Sequence, residues 1–150
     1  MKLDSVDKIL DFAIDKEQEA ADFYKDLAAK MERPAMKDVF IGFSKEEMGH
    51  KAKLQGVKTG KKLVLPSAKI TDLKIGDYLS EQEPTGKLDY QQALIVAMKA
   101  EKAAYTLYTS LQDATTDASL KELFGALAQE EAKHKLRFEI EYDDVILKQN

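Results

Sequence analysis

The sequence contains no cysteine, which excludes disulfides, iron–sulfur clusters and thiolate zinc sites. A cysteine-ligated iron centre for relaying electrons is excluded on this chain for the same reason. Proline is scarce, with 3 residues in 150, so few positions interrupt a helix. No stretch approaches 18 apolar residues, so no segment is expected to span a membrane. The first residues, MKLDSVDKILDFAIDKEQ, scatter acids among the apolar positions and lack a signal-peptide layout; the expected compartment is the cytoplasm. Basic charge is not in excess either. With 23 Lys and Arg against 27 Asp and Glu, the net charge is −4, which argues against nucleic acid as a partner. The one compact basic run, Lys58–Lys62, reads as a solvated helix end. What remains is 44% hydrophobic and 33% charged residues in a chain long enough for one domain, 1–150, with a sizeable core.

Apolar residues recur at helical spacing in four segments. The first runs from about Ser5 to Lys30, with Val6, Leu10, Ala13, Ala20, Tyr24, Leu27 and Met31 on one stripe. The second starts near Pro34, suited to a first helical turn, and runs to about Thr59, with Gly60 as the expected C-cap. The third follows Asp89, with Gln92 placed for a capping box, and the fourth starts near Thr116 or Asp117. Short joints make two antiparallel hairpins, about 5–60 and about 89–148. Between them lies a crossover, 61–88, long enough to run the length of such a bundle and carrying a possible short helix over Ile70–Leu79. The predicted fold is therefore an all-α four-helix bundle of two antiparallel hairpins joined by a long crossover.

The hairpins repeat each other without a gap at an offset of 84 residues. Glu17 aligns with Glu101, Ala20 with Ala104, Tyr24 with Tyr108, Phe40 with Phe124, Glu46-Glu47 with Glu130-Glu131 and His50 with His134. Packed about a pseudo-two-fold axis, the two copies bring these polar residues together at the centre.

The polar repeats lie on the apolar seams. Glu17 falls between Ala13 and Ala20, Glu47 and His50 between Phe43 and Leu54, Glu101 between Ala97 and Ala104, and Glu131 with His134 between Leu127 and Phe138. Four carboxylates turned into a core cannot stay ionised without compensation. Two divalent cations supply it, and Glu and His three residues apart share one helix face and can converge on one ion. With 13 Glu in 150 residues, a given His has one three positions upstream by chance about 9% of the time, yet the only two His both do. The predicted metal ligands are Glu17, Glu47, His50, Glu101, Glu131 and His134. Carboxylates with one imidazole per metal suit two iron ions, with manganese an alternative in one or both positions, better than zinc. Tyr24 and Tyr108, two turns beyond Glu17 and Glu101, are placed to hydrogen-bond a ligand carboxylate. Glu19, Glu46 and Glu130 fall off the seam, at the surface or behind the ligands. Phe23 and Tyr105 read as core or interface residues, and Met48 as packing or as a haem ligand between two subunits.

On the motifs Glu17-x6-Tyr24, Glu47-x-x-His50, Glu101-x6-Tyr108 and Glu131-x-x-His134, nearly the whole chain resembles the rubrerythrin-like branch of the ferritin-like superfamily. The resemblance implies a ferritin-like four-helix bundle with Glu47 and Glu131 bridging and Glu17 and Glu101 terminal. It also implies a peroxide-reducing enzyme fed by a rubredoxin centre. This sequence departs from that pattern twice: it has no cysteine for a rubredoxin domain, and Ala104 stands where rubrerythrins carry an extra carboxylate, with Ala20 at the symmetric position. The symmetric ligand set is also similar to that of bacterioferritin, which has a haem-ligating Met near Met48. The expected function is a di-iron oxidoreductase that reduces hydrogen peroxide or dioxygen with electrons from an external donor protein. The alternatives are a ferroxidase or iron-storage subunit, or a non-catalytic metal-binding bundle. A homodimer or larger homo-oligomer is expected, with no nucleic acid or membrane partner.

Overall fold

The computed structural model describes residues 5–61 and 89–146; most of the expected crossover, including the segment Ile70–Leu79, lies outside the described residues. These residues form four helices: α1 (Val6–Lys30), α2 (Pro34–Lys61), α3 (Tyr90–Ala114) and α4 (Ala118–Val145). Their starts follow from side chains that satisfy otherwise unpartnered backbone N–H groups. The Ser5 hydroxyl accepts from the Lys8 amide at 3.2 Å, and the Asp117 carboxylate from the Leu120 amide at 2.9 Å. Asp89 accepts from the Gln92 amide at 2.7 Å, while the Gln92 side chain accepts from the Asp89 amide at 3.4 Å, completing the predicted capping box. Gly60 departs from expectation. It sits inside α2, which continues to Lys61. Glycine costs only about 1 kcal/mol relative to alanine in a helix, too little to end a long helix that is paired along its length.

Contacts run in opposite chain directions within each hairpin. Lys51 donates to Gln18 at 2.6 Å and Ser44 to the Ala21 carbonyl at 2.8 Å, so α1 and α2 are antiparallel. Tyr90 donates to Glu141 at 2.5 Å and Gln112 to the Lys121 carbonyl at 3.0 Å, which sets α3 against α4 in the same way. Across the hairpins, Tyr24 reaches Glu101 and Tyr108 reaches Glu17, so α1 runs antiparallel to α3. Glu46 meets His134 and Arg137, which lays α2 beside α4. The result is a four-helix bundle in which the sequence repeat has become a spatial two-fold.

The apolar interior is split into two clusters. One gathers Val6, Ile9, Leu10, Leu54, Leu111, Leu120 and Phe124 around Tyr108. The other gathers Leu27, Phe40, Phe43, Tyr90, Leu94 and Phe138 around Tyr24. The first is mostly aliphatic. The second is an aromatic stack, with Phe43 and Phe138 4.0 Å apart and Tyr24 5.8 Å from each. Phe23 packs half-buried against it, whereas Tyr105 lies outside the core at 37% exposed.

Phe124 is fully buried and stacked on Tyr108. Phe124→Ala is expected to cost about 3–5 kcal/mol, through lost burial plus the cavity left behind. Asp89→Ala, which removes only a cap, should cost about 1 kcal/mol. Guanidinium unfolding of the metal-free chain measures both.

Candidate metal centre

Between the two apolar clusters the seams carry charge. Glu17, Glu47, Glu101, Glu131 and His134 are all buried, none more than 2% exposed, and the His50 side chain keeps 11%. All six residues picked out from the repeat come together here. The Nδ1 atom of His50 lies 3.2 Å from carboxylate oxygens of Glu17, Glu47 and Glu131. The Nδ1 atom of His134 lies 3.5 Å from Glu47, 3.4 Å from Glu101 and 3.6 Å from Glu131. Glu47 and Glu131 therefore face both imidazoles, while Glu17 faces only His50 and Glu101 only His134. One donor atom from each of Glu47, His50, Glu131 and His134 lies within 4.8 Å of the others. The two rings are nearly parallel, with centroids 5.6 Å apart.

The outward His134 Nε2 and, at the centre, both oxygens of Glu47, both of Glu131, Oε2 of Glu101 and the Nδ1 atoms of both histidines are buried without a hydrogen-bond partner. Native interiors rarely leave such groups unmatched. Here the central ones converge on one volume, and an oxygen-rich set with one imidazole per half fits a hard or borderline divalent cation. Electrostatics records the same crowding. Burial, then repulsion from Glu17 and Glu101, pushes the Glu47 carboxyl up to about 7 against the opposing pull of His50. Burial and the Glu47 and Glu101 carboxylates push Glu131 well above the usual carboxylate range. Burial opposes charge on the His50 ring, but Glu131, Glu17 and Glu47 together lift it up to about 12. His134 is raised in the same way, chiefly by Glu101.

The tyrosines cross between hairpins. The Tyr24 hydroxyl donates to Glu101 Oε1 at 2.5 Å, leaving Oε2 aimed at the centre, and the Tyr108 hydroxyl donates to Glu17 at 2.9 Å. Burial first, then the surrounding carboxylates, keeps both phenols protonated as donors. Behind His134, Glu46 Oε1 lies 3.3 Å from Nε2, and Arg137 donates to Glu46 Oε2 at 2.8 Å. The seam pattern places Glu46 behind the ligands or at the surface but does not reveal Arg137; the only hint in the sequence is that Arg137 aligns with Lys53 in the repeat. Glu130 pairs along its own helix with Lys133 at 3.6 Å. Met48 faces outward, 40% exposed. A cavity of about 90 Å³ opens between α1 and α3, bordered by Ala20, Ala103 and Ala104, and reaches Tyr24, Glu47 and Glu101.

Four long helices closing on a buried carboxylate–imidazole cluster define a four-helix bundle with a candidate metal centre. The chain belongs to the rubrerythrin family, whose family model matches residues 8–142. Among solved structures it is similar to a hypothetical protein from Pyrococcus furiosus, at 25% identity over 91% of this chain and 87% of that one, with a TM-score of 0.68. A Thermotoga maritima protein described as a candidate ferritin-like diiron-carboxylate protein shares the fold at 21% identity, covering 97% and 96% of the two chains with a TM-score of 0.68. A conserved hypothetical protein from Mycobacterium tuberculosis shares it at 12% identity, 87% and 92% coverage and a TM-score of 0.63. No curated protein matches the chain. Among the described residues, no helix is long and apolar enough to cross a membrane.

The raised groups give the metal-free chain a definite pH dependence. Where the folded state holds more protons than the unfolded one, stability falls as pH rises. For Glu47 that window runs from the ordinary 4.5 to about 7, and for His50 from 6.5 to about 12. Glu131 and His134 act in the same direction. The metal-free protein should therefore melt at a lower temperature at pH 8 than at pH 5, in a calorimetric series at fixed ionic strength. A flat or rising series would contradict these shifts.

Proposed function

We propose that the chain is a di-iron oxidoreductase that reduces hydrogen peroxide or dioxygen, with electrons delivered by a separate protein. The observation that carries this reading is the cavity between α1 and α3, which leads from the alanines at its rim to Glu47 and Glu101 within the ring of unpartnered buried donors. Its volume, about 90 Å³, is sufficient for a molecule as small as peroxide or dioxygen. In this reading Glu47 and Glu131 would hold both ions, Glu17 and His50 would complete one position, and Glu101 and His134 would complete the other. Two iron ions, when bound, supply redox equivalents and Lewis acidity to an O–O bond.

The chain's own residues do the rest. The Tyr24 and Tyr108 hydroxyls fix the outer carboxylates in one rotamer. Tyr24 also borders the cavity and keeps its proton, which it donates to Glu101, so it steadies that carboxylate at the cavity's inner end. Reducing peroxide to two waters takes two electrons and two protons. The electrons come from outside, since the sequence has no cysteine for a rubredoxin-type centre. Glu19 at the cavity favours a second reading, a ferroxidase, in which Fe(II) enters past that carboxylate as substrate.

Purified metal-free protein loaded anaerobically with Fe(II) should retain two ions per chain. Glu47→Ala or Glu131→Ala should lose the pair, because each carboxylate touches both positions; two retained ions in either variant would refute the bridging role. Ala104→Leu should keep both ions but slow oxidation by peroxide at least about tenfold, that is by about 1.4 kcal/mol in barrier. Stopped-flow oxidation that is faster with dioxygen than with peroxide, together with many irons retained per chain, would favour the ferroxidase.

A further inference from the structure

The two halves share their ligands but not their surroundings. Behind His134 the ring is flanked on three sides. Its Nδ1 faces the centre, and Glu46 Oε1 lies 3.3 Å from its Nε2, within ion-pair reach but not aligned as a hydrogen bond. Glu46 is in turn fixed by Arg137 at 2.8 Å. The Arg137 guanidinium lies over the Phe43 ring at 4.3 Å, and Phe43 meets the His134 ring edge-on at 5.0 Å and 85°. At the repeat positions of Glu46, Arg137 and Phe43 the other half has Glu130, Lys53 and Leu127. Glu130 turns to Lys133 on its own helix, and the carboxylates paired with His50 all face its Nδ1. The His50 side chain keeps 11% exposure against 1% for His134.

From this asymmetry we infer that the two metal positions are unequal: the one formed by His134 and Glu101 is the tighter, and Glu46 and Arg137 are the positioning residues that make it so. When the outer N–H aligns on it as the ion binds, a carboxylate so placed fixes the tautomer with its proton on the outer nitrogen, frees the inner nitrogen to ligate and raises its basicity. Such partners change metal affinity by about 10–100-fold. The edge-on contact with Phe43 also limits ring rotation before the ion arrives, which lowers the ordering cost of binding. Among the described residues His50 has neither device, so its ligating orientation must be selected when the ion binds. The inference rests on the six-residue ligand set proposed above.

Calorimetric titration of the metal-free full chain with Co(II) tests it. Two binding steps are expected, separated by about 10–100-fold. His50→Ala should keep the tight step and His134→Ala should lose it. Glu46→Ala should weaken the tight step by about 10–100-fold and bring the two together, while Glu130→Ala leaves both unchanged. Helicity measured on each variant separates loss of folding from loss of binding. Two ions bound with one affinity in the unaltered protein, a tight step that survives in His134→Ala, or equal effects from Glu46→Ala and Glu130→Ala would each overturn the inference while leaving the ligand set standing. No bound Co(II) in the unaltered protein would overturn both.

Discussion

Everything in this bundle is arranged around four carboxylates and two imidazoles buried at mid-length. Groups of that kind are among the costliest to take out of water, and they survive in an interior only with compensating charge. The rest of the fold supplies what keeps them there. Two apolar clusters, one on each side, provide the burial that the polar layer forgoes. Away from their ends, long uninterrupted helices satisfy their backbone groups locally, so the layer has no backbone atoms to satisfy. The tyrosines meet the outer carboxylate oxygens, and the inner donors are left for a cation.

Much of this was legible in the sequence, because the repeat and the seam placement are both periodic signals. A gap-free offset identifies corresponding residues, and the heptad-like spacing says which face they share. Asp89 and Asp117 start helices for reasons written in their own side chains and the next turn. Gly60 was harder. A residue's preference for ending helices is worth less than the pairing of α1 with α2 that carries α2 past it.

What could not be read are contacts between residues far apart in sequence on faces with no apolar signature. Arg137 and Glu46 are 91 positions apart, and each looks like ordinary surface charge. The partner of each tyrosine was hidden for a related reason. Spacing places Tyr24 on the face of Glu17, but the antiparallel approach of α1 and α3 hands it Glu101 instead. The cavity is a third case. Ala20 and Ala104 read as stripe members or missing carboxylates, and only their meeting across two helices shows that together they leave room. The contrast between the aromatic and aliphatic clusters is visible residue by residue, as Phe43 against Leu127 or Phe138 against Leu54, but its meaning depends on Phe43 meeting the His134 ring.

The exchanged tyrosine–glutamate bonds also bear on how the molecule holds its shape. Each hairpin carries the clasp for the other's ligand, so neither half can present a finished set of donors alone. Assembly of the hairpins and completion of the centre are therefore one event, and a disturbance in either half is felt in both. The molecule behaves as an interlocked pair whose joint is also its working part.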